Sequence, residues 1–108
     1  MEPINVPGGT GTDDALRQSV ALKSMYRAAY TSLHKEFGYD GGTGDIILIE
    51  VWDTVAKLVK RFTRTVSYNV AGDVSGRVTT DETSGSILTD TYAYFPNGDV
   101  QSATEVVT

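Results

Sequence analysis

The chain has 108 residues, a net charge of −5 and no cysteine, which bounds it to one small domain with neither a disulfide framework nor a thiolate zinc site to reinforce it. No apolar run approaches the roughly 20 residues that span a bilayer, and Met1–Pro7 lacks the basic and apolar segments of a secretory signal, so the sequence reads as soluble, with no membrane partner. Charge placement argues against nucleic acid: after Arg64 only Arg77 is basic, against Asp73, Asp81, Glu82, Asp90, Asp99 and Glu105, the opposite of a phosphate-binding field.

Residues 1–12, rich in proline and glycine, predict an extended arm. A long helix is expected next, from Asp13 to about Phe37, with Thr12 as N-cap and Gly38 at the C′ position, so that 13–38 form one helical segment. Leu22, Tyr26, Ala29 and Leu33 recur at spacings of four, three and four, a heptad-like seam. Leu16, Val20, Met25, Tyr30 and Phe37 widen the apolar surface, so the helix is expected to meet two neighbours: its own sheet and another copy of itself. Leu22, Tyr26, Ala29, Leu33 and Phe37 are therefore the candidate self-association surface.

Residues 39–45 predict a glycine-rich linker, and 46–108 a β-meander. Ile46–Trp52 reads as a strand, whereas Thr54–Phe62 fits strand and helix spacing alike. An internal repeat organises the rest of the chain. Thr63-Arg64-Thr65-Val66-Ser67-Tyr68-Asn69-Val70-Ala71-Gly72-Asp73-Val74 aligns without a gap on Thr89-Asp90-Thr91-Tyr92-Ala93-Tyr94-Phe95-Pro96-Asn97-Gly98-Asp99-Val100, a period of 26 residues. Upstream, Val51-Trp52-Asp53 matches Thr79-Thr80-Asp81. Each unit reads as strand, acidic turn, strand ending in tyrosine, glycine-aspartate turn, strand. The expected fold is thus α+β: an arm, one long helix, then five antiparallel strands near 45–52, 57–69, 73–81, 86–95 and 99–107. One sheet face would carry Leu58, Phe62, Val66, Tyr68, Leu88, Tyr92 and Tyr94, and the other mostly threonine, serine and charge. A single helix covers only part of such a sheet, and oligomerisation is the common way for a small fold to gain buried area.

The residues offer little chemistry. Gly8-Gly9-Thr10-Gly11-Thr12 lacks the spacing and lysine of a phosphate loop, and Asp13 and Asp14 would repel an anion there. His34 is the lone histidine and has no cysteine or carboxylate cluster beside it in sequence, so no metal or catalytic role is assigned. Asp40 and Asp45, or Asp73 and Asp99, lack the ligand spacing of a calcium loop and read as turn formers. Lys57, Lys60, Arg61 and Arg64 read as solvated or interfacial charge. Trp52, Tyr92 and Tyr94 are candidate partner or carbohydrate contacts, because an exposed aromatic on a threonine-rich sheet can stack on a sugar. No cofactor is expected.

The units Phe62–Tyr68 and Leu88–Tyr94, each followed by a glycine-aspartate turn, together with Ile49-Glu50-Val51-Trp52-Asp53, resemble hairpin repeats of virion proteins of tailed bacteriophages. A looser similarity is to the tyrosine-glycine repeats of large secreted shell proteins. The phage resemblance implies a small tail, fibre, adaptor or capsid-decorating component, present in several copies per virion, with a trimer favoured and other virion proteins as partners. It implies no active-site residue.

Overall fold

A computed structural model describes residues 9–108, with side chains described from Gln18 onward. One helix, α1 (Gly9–Ser32), precedes six strands: β1 (His34–Tyr39), β2 (Ile46–Trp52), β3 (Lys60–Tyr68), β4 (Val74–Asp81), β5 (Ile87–Tyr94) and β6 (Val100–Val107). The strands form one antiparallel sheet in the order β1-β2-β3-β4-β5-β6. The α+β meander stands, with one strand more than the sequence suggested. The arm expected over residues 1–12 lies largely outside the described residues, although its last part, from Gly9, belongs to α1. Thr12 is therefore inside the helix and is not its N-cap.

The helix ends earlier than its periodicity implied. Thr31 and Ser32 turn their hydroxyls back onto the carbonyls of Arg27 and Ala28, each at 2.8 Å, and Lys35 Nζ reaches the Leu33 carbonyl. Side-chain bonds of this kind compete with continuation of the helix. The chain then enters a strand: Phe37 pairs with Ile49 and Gly38 with Leu48. Gly38 is a packing position and not a C′ residue, since a Cβ there would lie 3.1 Å from the Leu48 Cβ. The segment 39–45 is the turn of the β1–β2 hairpin, not a linker. Asp40 Oδ1 accepts the Gly42 and Thr43 N–H groups and Gly44 sits at φ 80°, a conformation that favours glycine. The ambiguous 54–62 stretch divides. Residues up to Val59 form a turn held by Asp53, whose Oδ1 accepts the Thr54 and Val59 N–H groups, and β3 begins at Lys60.

In an antiparallel ladder paired residues share a face. The registers Val51↔Phe62↔Asp81, Ile49↔Arg64↔Thr79↔Leu88↔Val107 and Val66↔Arg77↔Asp90↔Glu105 therefore define one side of the sheet. The helix lies on this side. Its seam Leu22, Tyr26 and Ala29 closes on Val51, Phe62 and Leu88, with Tyr30, Leu33, Ile49 and Val107 packed around them. Tyr26 meets Phe62 edge-on at 5.5 Å and Tyr30 meets Phe37 at 6.4 Å. Below the sheet there is no second layer among the described residues, and the molecule is only 19 Å thick.

Candidate functional site

Three features of this architecture could act on something else: a polar groove beside the helix, the uncovered face, and the two sheet edges. The groove, of about 600 Å3, is lined by Lys23, Tyr26, Arg27, Tyr30, Arg64 and Arg77, among others. Its charges are mostly engaged from within. Arg64 stacks 4.0 Å above the Tyr26 ring and donates to Thr79 Oγ1. Arg77 Nη2 donates to the Tyr92 hydroxyl at 2.8 Å and lies 3.5 Å from Asp90. Lys23 and Ser19 both donate to the Glu105 carboxylate at 2.7 Å, fastening α1 to β6. Arg27 and Arg64 have no ion-pair partner among the described residues.

Asp90 is 1% exposed and its Oδ1 has no partner among the described residues. Burial pushes its carboxyl up; the Arg77 guanidinium opposes this, and the like charge of Glu105 across the strand adds to it. Glu105 is held low by its hydrogen bonds from Lys23 and Ser19. Burial also raises the Tyr26 phenol and lowers Arg64. His34 is on the opposite side of the sheet from this cluster, paired with Glu36 at 3.0 Å. The arrangement is a clasp between helix and sheet. The sequence hid it because it joins residues from α1, β3, β4, β5 and β6. Val66, Arg77, Asp90 and Glu105 reach one face through the registers of three ladders.

The surface-exposed sites expected from sequence are dispersed. Leu22, Tyr26 and Ala29 are buried in the protomer's own core, so these three make the intramolecular contact between helix and sheet. Leu33 is partly buried against the same core, and Phe37 is in β1, not on the helix. The helix residues left to solvent include Val20 and Met25. Trp52 faces the uncovered side, with Lys60 Nζ 5.1 Å from its ring and Lys57 Nζ 6.0 Å away. Tyr92 and Tyr94 point to the helix side, so the three aromatics make no common platform. The basic run is split in the same way, with Lys57 and Lys60 beside Trp52 and Arg64 under the helix.

The repeat, by contrast, has a structural counterpart. Tyr68 in β3 donates its hydroxyl to the Ile46 carbonyl at the start of β2, 2.7 Å away. Tyr94 in β5 donates to the Val74 carbonyl at the start of β4, 2.5 Å away. Each tyrosine thus ties its hairpin to the previous one. The turns after these tyrosines match, with Gly72 at φ 94° and Gly98 at φ 95°. The acidic turns match too: Asp53 and Asp81 each accept backbone N–H groups through Oδ1. A third copy, Tyr39 to Gly44-Asp45-Ile46, escaped the alignment because its turn is one residue longer. All three return strands carry a register shift beside the tyrosine, at Gly38/Tyr39, Ser67/Tyr68 and Ala93/Tyr94.

No helix among the described residues is long and apolar enough to cross a membrane, and no group of three or more potential metal ligands occurs among them. No known protein family, curated protein or solved structure matches this chain.

Proposed function

We propose that this chain is a non-enzymatic structural protein that works by self-association and by docking onto other proteins. On the hairpin resemblance it is a component of a phage particle: a tail, fibre or adaptor protein, or alternatively a capsid decoration protein, located in the virion. A trimer is favoured by that resemblance alone. The observation that carries the structural reading is the imbalance of apolar surface. Among the described residues the buried apolar core is Leu22, Tyr26, Ala29, Val51, Phe62 and Leu88, while Met25, Ile47, Leu58, Val59, Phe95 and Val106 are among the large apolar side chains left exposed. A sheet with one bare face and one helix hides too little to be comfortable alone. Carbohydrate binding is the weaker alternative, because Trp52 and the Tyr92/Tyr94 pair face opposite ways and the two tyrosine hydroxyls are already bonded.

Sedimentation or light scattering of the purified protein at micromolar concentration tests this. A discrete oligomer is expected. A monodisperse, cooperatively melting monomer would remove the proposal.

A further inference from the structure

We infer that copies of this chain join head to tail through their sheet edges, β6 of one receiving β1 of the next in the register that the internal repeat already uses. The inference rests on the self-association reading and specifies its surface.

The two edges are complementary halves of one joint. Within the chain the joint is built from a return strand that offers the carbonyl of its first residue and a following strand whose terminal tyrosine takes it. Ile46 serves Tyr68 and Val74 serves Tyr94. At the open ends the halves are left over. Tyr39 is 58% exposed and its hydroxyl has no partner among the described residues. Val100 begins β6 at the position matching Ile46 and Val74. The Asp99 carbonyl is taken by Phe95 inside the hairpin, so alternation turns the Val100 carbonyl to the free edge.

The backbone agrees. Thr108 exchanges both hydrogen bonds with Ile87 on β5, so the N–H and C=O groups of Ala103, Glu105 and Val107 point outward. Asp40 bonds Asp45 across the first hairpin, which leaves those of Lys35 and Phe37 outward on β1. The repeat also sets the register. Leu48↔Thr65 and Gly76↔Thr91 each lie two residues after the return strand with the accepting carbonyl begins and three before the tyrosine. Carried onto the edges, this pairs Ser102 with Glu36 of the next copy, Ala103 with Lys35 and Thr104 with His34. The faces match without adjustment: Ala103 and Lys35 both belong to the helix side, since they pair with Tyr92 and Val51 in their own sheets. β6 has no proline and a single charge, Glu105, so little on it discourages strand addition. Head-to-tail contacts of this type build rings or filaments.

The protein has no cysteine of its own, so paired substitutions report cleanly. Glu36 and Ser102 lie on opposite edges, five strand spacings or about 24 Å apart, beyond intramolecular disulfide reach. In the full-length Glu36→Cys/Ser102→Cys protein, mild oxidation is expected to give a ladder of covalent multiples on a non-reducing gel. The Phe37→Cys/Ser102→Cys protein, whose thiols face opposite sides, should give at least about tenfold less. Equal cross-linking in both, or none in either while scattering still shows oligomers, overturns the edge joint and leaves self-association standing. A monomer in scattering removes both. As a second arm, Ala103→Pro deletes an N–H that points away from β5, a position where an edge strand tolerates proline. It should retain wild-type circular dichroism and weaken association about tenfold or more; wild-type association by this folded variant overturns the proposal.

Discussion

Replacing Asp90 by asparagine should stabilise the protein at neutral pH. The ionised carboxylate is buried under α1, faces Glu105 across the β5–β6 ladder, and has one oxygen with no described partner. Its compensation is a single long contact, 3.5 Å to Arg77. Arg77 would not be stranded by the change, because its side chain is 33% exposed and keeps the Tyr92 hydroxyl. Asparagine preserves the shape, can still accept from Arg77, and turns an N–H2 toward Glu105. Relieving one unsatisfied buried group is worth about 1–3 kcal/mol, and at about 4–8 °C per kcal/mol the gain is readable in a melting curve. The pH dependence supplies a second readout. Asp90 is raised in the folded state above its ordinary 3.8, so the native protein holds the proton more tightly. Stability therefore rises as pH falls from neutrality toward that value. Glu105 is lowered below its ordinary 4.5 and acts in the opposite sense at more acid pH, where protonating it releases Lys23 and Ser19. The wild type should show a stability maximum in the acid range, and Asp90→Asn should lose the rise while keeping the acid fall. Melts by circular dichroism between pH 7 and pH 3 check both. A variant less stable than wild type at pH 7 would mean that the Arg77 ion pair outweighs burial, and the reasoning fails.

Three further outcomes are expected. Leu88→Ala removes a fully buried side chain from beneath the helix and should cost about 2–5 kcal/mol, measured by urea unfolding. Tyr68→Phe and Tyr94→Phe each delete one inter-hairpin hydrogen bond and should each lower stability by about 1 kcal/mol in the same assay, whereas Tyr39→Phe should leave the isolated protomer unchanged. Gly98→Ala forces a side chain into a left-handed turn at φ 95° and should destabilise by about 1–3 kcal/mol, with Gly41→Ala, where a Cβ meets nothing within 4 Å, as a near-neutral control.

The sheet was legible from turn chemistry, and the last five strands fall within three residues of their expected ends. Gly72-Asp73 and Gly98-Asp99 mark positions where the chain must reverse, and threonine-rich runs between them suit extended backbone. β1 was not legible because His34–Phe37 continues the helical spacing of Leu22, Tyr26, Ala29 and Leu33. The helix gives way after Ser32, and the switch is enforced by pairing with β2, a tertiary effect with no local marker. The placement of Leu22, Tyr26 and Ala29 was not legible for a related reason: an apolar stripe looks the same whether it meets a copy or its own sheet. The groove cations and Asp90 were invisible because their meeting depends on register across four strands.

The register shift beside each tyrosine has an evolutionary corollary. By resetting the alternation of a return strand, the extra residue lets one main-chain oxygen at its head turn from its own hairpin to the next. This part of the cohesion between successive modules then depends on a phenol, a glycine and the peptide backbone, and adds to the packing of the buried face. The solvent-facing positions in between are free to drift, and a descendant could lengthen or shorten the ribbon by whole hairpins.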